Sequence, residues 1–302
     1  MIITLPQRID APSTKIFVQI NGKKFKDTIL MLPGGPGGNA TIYDEIARKM
    51  ARRYRVIRFD PRGCARSIRD YSSAKEFCSI DHYVKDIESI RAFFNLKNFT
   101  LLGGSYGAMA ALKYAVSYCK DNYLKNLITI GGASSGKFID AAISIINNKV
   151  KEGLCSVEQQ EWAVKLFAGR IKNPEEFREY YGAMKNIYFF NVNKEYKPLI
   201  NKKIKSYDYY IEITNDGFRP GGFLRKFDIT TSLNEITCRV LMMVGENDWI
   251  NQPEDITLIA DGIKNSGNKK VYKVIIKKCG HFIPIEQPRV FYSHILKFLE
   301  ER

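Results

Sequence analysis

Residues 98–108, Asn98-Phe99-Thr100-Leu101-Leu102-Gly103-Gly104-Ser105-Tyr106-Gly107-Ala108, constrain this chain more than any other stretch. A short β-prone run leads straight into Gly-x-Ser-x-Gly, and the helix-forming Ala108-Met109-Ala110-Ala111-Leu112 follows without a break. That order reads as strand, sharp turn, helix. Such a turn holds its central residue in a strained backbone geometry, tolerable only where the neighbours lack bulk, and glycines at 103, 104 and 107 meet that need. The Ser105 hydroxyl would then stand clear of the sheet. An ordinary glycine-rich turn with an incidental serine fits the same stretch, so partners elsewhere in the chain decide.

The 302 residues can bury a large core, as one large α/β domain or two smaller ones. No apolar run approaches the roughly 20 residues of a membrane span. The stretch Met1-Ile2-Ile3-Thr4-Leu5-Pro6 lacks the basic region and long apolar segment of a secretory signal, so a cytoplasmic protein is expected. The six cysteines, at 64, 78, 119, 155, 238 and 279, include no Cys-x-x-Cys pair. That spacing argues against a zinc site and against a disulfide framework, and reduced thiols with no metal are expected.

Net charge is +15, and the excess is concentrated early: residues 1–135 hold 21 Lys/Arg against 11 Asp/Glu. Between Arg48 and Arg69 nine basic residues meet Asp60 and, one position on, Asp70. They form either a patch for an acidic partner or, the favoured reading, a helix C-terminus whose dipole Arg48, Lys49, Arg52 and Arg53 complement. No nucleic-acid motif accompanies them, and neither nucleic acid nor membrane is expected as a partner.

In chain order, Lys15–Ile20 followed by Asn21-Gly22 and a Lys-rich return predicts a β-hairpin at an antiparallel sheet edge. Thr28–Leu32 is an apolar strand that empties into Pro33-Gly34-Gly35-Pro36-Gly37-Gly38, with a helix over roughly 41–53 to follow. A strand at Arg55–Phe59, a helix at about 80–95, the Ser105 strand and helix, and a strand at Asn126–Ile130 continue the alternation. From about Ser134 the sequence turns helical and aromatic, through Trp162, Phe167, Phe177, Tyr180, Tyr181, Tyr188-Phe189-Phe190 and the stretch from Tyr207 to Tyr210. Strands resume at Arg239–Val244 and Val271–Ile276, and a last helix begins near Val290. The pattern predicts a doubly wound, mostly parallel α/β core of residues 1–133 and 230–302, with a helical cap of residues 134–229 over the strand ends.

A serine hydroxyl needs a base to become a nucleophile, and the base needs an acid to fix its tautomer. After Ser105, Asp248 follows a strand in a Gly-x-x-Asp loop and His281 follows the last strand in a Gly-His loop. Ser105, Asp248 and His281 thus come in the chain order of α/β-hydrolases, each at a strand's C-terminal end. His82 and His294 fall in helices, Asp248 could also serve as a turn acid capping Trp249 onward, and Asp255 is the reserve acid. For the oxyanion of acyl transfer, the backbone N–H groups of Tyr106 and Gly35 are the candidates. The glycine loop is no phosphate cradle, because no Gly-Lys-Ser/Thr follows it.

These motifs together resemble the proline iminopeptidase (prolyl aminopeptidase) and tricorn-interacting aminopeptidase family of α/β-hydrolases. Pro33–Gly38 is similar to that family's His-Gly-Gly-Pro-Gly loop, Asp60-x-Arg62-Gly63-x-x-x-Ser67 to its Asp-Gln-Arg-Gly-x-Gly-x-Ser segment, and Gly103–Gly107 to its nucleophile elbow. Phe227–Thr230, Val244-Gly245-x-x-Asp248 and Gly280-His281-Phe282 extend the likeness. Pro33, Pro61 and Ala65 depart from it, standing where the family has His, Gln and Gly. The resemblance implies an α/β-hydrolase fold without cofactor and an aminopeptidase that releases an N-terminal residue through an acyl-enzyme. It also implies carboxylates that hold the substrate's ammonium. Gly217-Phe218 and Trp249 stand at those places here, with Glu212, Asp216 and Glu246 as nearby substitutes. A carboxylic-ester hydrolase and a low-turnover ligand-binding homologue remain open beside the aminopeptidase, with a small peptide, amide or ester as the partner.

Overall fold

The computed structural model describes residues 1–5, 14–67, 78–192, 201 and 209–301; Arg69, Asp70 and Tyr207 lie outside the described residues. One sheet runs in the order β1-β2-β4-β3-β5-β6-β7-β8. The strands are β1 (Ile2–Leu5), β2 (Thr14–Asn21), β3 (Thr28–Leu32), β4 (Arg55–Phe59), β5 (Phe99–Gly104), β6 (Leu124–Ile130), β7 (Arg239–Gly245) and β8 (Val271–Ile276). β1 pairs antiparallel with β2 and β2 with β4, while β3 to β8 run parallel to one another. In chain order the helices are α1 (Asp44–Met50), α2 (Ile80–Phe93), α3 (Tyr106–Tyr118), α4 (Phe138–Lys151), α5 (Val157–Phe167), α6 (Pro174–Tyr188), α7 (Ile211–Phe218), α8 (Pro253–Lys264), α9 (Ile283–Glu286) and α10 (Pro288–Glu300).

The central strands are continuously apolar because both faces of the sheet are covered. With a side-chain period of two, Leu30, Leu101, Leu127 and Val240 face a layer built from Ile87 and Ile90 of α2, Met109 of α3 and Ile259 of α8. Ile29, Leu102, Ile128 and Leu241 face the opposite layer, built from Ile46 and Met50 of α1 and Phe291 and Ile295 of α10. Each such side chain, fully withdrawn from water, contributes about 2 kcal/mol.

The predicted hairpin at Asn21-Gly22 does not form. β2 pairs with β4 from Val18↔Phe59 to Asn21↔Val56, and β1 takes the sheet edge on its other side. β4 sets Phe59 and Ile57 opposite Val18 and Ile20, whereas a return strand would have set Lys23, Lys24 and Lys26 opposite Ile20, Gln19 and Phe17. The basic cluster divides into inward-held and exposed members, and Arg48, Lys49, Arg52 and Arg53 are the exposed ones. Arg58 is buried against Asp44, Arg62 is buried in a two-pronged pair with Asp86 (2.5 and 2.6 Å), and Arg66 lies 2.7 Å from Asp60. Arg48 and Lys49 do occupy the last turn of α1, where cations favour the helix dipole.

Between β6 and β7 the described regular elements are α4 to α7 and a 3-10 turn at Thr230–Glu235, with an isolated bridge between Ser135 and Asp228. That bridge laces the two ends of the segment together. The Ile229 N–H donates to the Ser134 carbonyl (2.8 Å) and the Gly136 N–H to that of Phe227 (2.7 Å). Within the segment, Ser156 and Gln159 form a capping box at the start of α5, and Asn173 caps α6 ahead of Pro174. No helix among the described residues is long and apolar enough to cross a membrane.

Candidate active site

Ser105 has φ 54° and ψ −122°, a region that side-chain-bearing residues avoid, and it sits between the end of β5 and the start of α3. The strain is held from both sides: the Ser105 N–H donates to Ile130 O (2.8 Å), and Ala108 and Met109 donate to Ser105 O. The elbow also needs close backbone approach. A Cβ on Gly103 would lie 2.1 Å from Gly107 O, and one on Gly107 would lie 2.4 Å from Leu32 O. Tyr106 opens α3, so its N–H is one of the first four in the helix and has no intrahelical acceptor. Its ring is buried and stacks on Tyr83, and burial pushes its hydroxyl pKa upward.

The loop after β3 brings a second set of N–H groups to the same place. Gly35 has φ +68° and is pressed against Tyr209, whose Cε1 would be 2.3 Å from an added Cβ. Gly34 packs on the Gly104 carbonyl, next to Ser105 itself.

Asp248 and His281 arrive on the loops after β7 and β8. Nδ1 of His281 lies 2.7 Å from Oδ2 of Asp248, and Asp248 is only 4% exposed. Oδ1 of the same carboxylate accepts the N–H groups of Ile250 (2.9 Å) and Asn251 (3.1 Å), so Asp248 is both the turn cap and the histidine's partner. The two loops approach because Gly245 has no side chain: a Cβ there would meet Gly280 O at 2.1 Å. Asp255, the reserve acid, instead accepts the Gln252 N–H at the start of α8 (2.8 Å). His82 pairs with Ser79 (2.8 Å) and His294 lies within α10.

Ser105, Tyr106, Gly35 and His281 line a cavity of about 630 Å3. Its inner wall comes largely from the segment between β6 and β7, including Phe138, Leu166, Phe177 and Phe218. Tyr181, Tyr188 and Tyr209 add polar points to that wall. Tyr181 hydrogen-bonds to the hydroxyls of both Tyr188 and Tyr209, and Tyr188 meets Tyr180 at 2.7 Å. Burial raises the pKa of each of these three partners, that of Tyr209 to about 12, and they stay neutral hydroxyls.

The structure does not bring the four sequence-proposed substrate residues to this wall. Glu212 is exposed on α7, Asp216 is paired with Arg219 (2.9 Å), and the exposed Glu246 accepts the Lys278 N–H (3.2 Å). Trp249 is 1% exposed, wedged between Phe167 and Tyr188 behind the cavity. Among the described residues, the carboxylates that do line the cavity are Asp44 and Glu45 on α1, each engaged by a cation, Arg58 or Lys49. Sequence reasoning missed the joined tyrosine hydroxyls, because their meeting depends on contacts between α6 and a distant loop.

Comparison with known proteins follows the same geometry. The chain is 27% identical to proline iminopeptidase PfmaB of Pestalotiopsis fici over 94% of its length and 99% of that protein. Among solved structures it superposes on proline iminopeptidase of Mycobacterium smegmatis with a TM-score of 0.71 (19% identity, 100% and 98% of the two chains). It superposes equally on an esterase of Exiguobacterium antarcticum, with a TM-score of 0.71, 20% identity and the full length of both chains. The family model for the alpha/beta hydrolase fold matches residues 27–288, spanning the elbow and the Asp248 and His281 loops, and the chain belongs to that family.

Proposed function

We propose that this protein is a serine hydrolase acting on small peptides, amides or esters with a compact apolar acyl group. The observation that carries the reading is the 2.7 Å contact of His281 Nδ1 with Asp248, on a histidine that shares one cavity with the strained Ser105. In the mechanism, Ser105 Oγ attacks the scissile carbonyl while Nε2 of His281 takes its proton. Asp248 holds the imidazole through Nδ1 and stabilises its charged form. The N–H groups of Gly35 and Tyr106 bind the oxyanion, His281 passes the proton to the leaving group, and water then releases the acyl group from Ser105 by the reverse sequence. The residue 134–229 segment acts as a cap whose aromatic wall receives the acyl group.

Release of an N-terminal residue, the activity for which relatives such as PfmaB are named, is the preferred form. Ester cleavage is the second reading, and one observation favours it: Glu212, Asp216 and Glu246 all lie away from the cavity wall. Fluorophosphonate labelling tests the class, since Ser105 must react and Ser105→Ala must not; an unlabelled wild type would leave a ligand-binding homologue. Proline, other amino-acid and short ester chromogenic substrates, compared on one enzyme sample, separate the two hydrolase readings. Glu212→Ala and Asp216→Ala should leave KM for free-amine substrates unchanged, and a selective rise would return those carboxylates to the site.

A further inference from the structure

Residues 277–282, which carry His281, belong to no strand or helix, so something other than the sheet must fix the imidazole. Asp248 holds the ring at Nδ1 and the Asn247 N–H donates to Cys279 O (2.9 Å), and two further attachments tie the loop backbone to the end of α6. The His281 N–H donates to Tyr188 O (2.8 Å), and the Gly280 N–H donates to Oε2 of Glu286 (2.6 Å). Oε1 of the same carboxylate accepts the N–H of Phe190 (2.7 Å) and that of Asn191 (3.4 Å). Glu286 is 7% exposed, and its carboxylate is met by backbone N–H groups and the Cys279 thiol (3.7 Å). A buried carboxylate is costly unless its oxygens are satisfied. Here each oxygen is satisfied by a different segment, one by the histidine loop and the other by the residues that leave α6. Phe189 stacks on Phe282 across the same junction (4.9 Å), and both Tyr188 and Phe282 line the cavity.

Building on the proposed serine-hydrolase reading, we propose that Glu286 is a positioning residue that clamps the His281 loop to the end of α6. The wall that receives the acyl group and the general base are then set by one carboxylate. Glu286 does not touch the reacting atoms. It acts through the Gly280 and His281 backbone, where a displacement of about 1 Å is enough to lower turnover by about 100-fold.

The test compares wild type, Glu286→Ala and Glu286→Gln, each held well below its melting temperature. The readouts are kcat and KM on a chromogenic substrate and the rate of fluorophosphonate labelling of Ser105, all normalised to folded protein. Glu286→Ala should lower kcat and the labelling rate together by about 100-fold with little change in KM. Glu286→Gln keeps one acceptor oxygen but turns its NH2 group toward one donor set, and should fall between Glu286→Ala and wild type. A downfield proton resonance from the His281–Asp248 contact should shift or broaden in Glu286→Ala. Wild-type kcat and labelling in both variants, with only a lower melting temperature, would overturn the proposal by reducing Glu286 to a structural clamp. Should Glu286→Ala fail to fold, Glu286→Gln decides by the same criterion. Failure of wild type to label at Ser105 would instead sink the serine-hydrolase reading, so the two failures are distinguishable.

Discussion

Asp248 gives one carboxylate oxygen to His281 Nδ1 at 2.7 Å and commits the other to the N–H groups of Ile250 and Asn251. The acid is therefore aimed before any substrate binds. Asp248→Asn should lower kcat about 10⁴-fold by losing the charge and the fixed tautomer. Ser105→Ala and His281→Ala should each lower it about 10⁶-fold, with folding retained in all three. Steady-state rates and circular dichroism on the same samples check this, and activity within tenfold of wild type in any of them would remove that residue from the mechanism.

Asp255 gives a pH-dependent prediction of known sign. Burial, the largest cause, pushes its carboxyl up to about 6, against an opposing pull from the Gln252 N–H. A carboxyl whose folded pKa exceeds its unfolded value of about 3.9 binds its proton more tightly when folded, so stability falls as pH rises from about 4 to about 6. Asp255→Asn removes that loss and keeps an oxygen for the Gln252 N–H. Denaturant unfolding should find the variant more stable than wild type by about 1–3 kcal/mol at pH 8, with the gap closing toward pH 4. Its kcat should be unchanged, and a large loss there would transfer the triad acid to Asp255.

Gly35 should tolerate no side chain. Gly35→Ala places a methyl group 2.3 Å from Tyr209 Cε1 on a backbone at φ +68°, so either the loop or the tyrosine must move. Loss of one aligned oxyanion donor lowers kcat by about 10²–10³-fold. Stopped-flow acylation should locate the effect in the chemical step, whereas an effect on KM alone would place Gly35 outside the oxyanion site.

How much of this was legible beforehand follows a physical division. The placement of Ser105, Asp248 and His281 at strand ends was readable because each follows a strand whose apolar run and glycine punctuation are local signals. The Asn21-Gly22 hairpin failed because the turn signal is local while the choice of partner is not, and β4 outcompeted the Lys-rich return. That Glu212 and Asp216 lie off the cavity wall was not readable, because which side of α7 meets the cavity depends on how the whole segment docks. It presents Ile211 and Thr214 inward and leaves Glu212 in water. Glu286 gave no signal either: the sequence shows one acid after Ile283-Pro284-Ile285, and only the fold brings Phe190 to it.

The buried pair of Arg62 and Asp86 links the loop after β4 to α2. Asp86→Ala strands a guanidinium that is 5% exposed, which costs about 3–5 kcal/mol. Urea unfolding should show that loss while kcat per folded molecule is kept. A loss under 1 kcal/mol would mean that water reaches Arg62 in the variant.

Ser105 and His281 hang from strands of unequal depth in the sheet. β5 lies between β3 and β6, but β8 is an edge strand, paired among the described strands with β7 alone, with Tyr272 and Ile275 each 42% exposed. Local opening is easiest where few buried contacts oppose it. On warming, the base should therefore drift from the nucleophile while the central sheet is intact. Catalysis would fail reversibly some degrees before the helices melt, and amide hydrogens of β8 would exchange with solvent ahead of those in β5. Such an outcome would place the upper limit of the working temperature at the edge of the sheet rather than in the core.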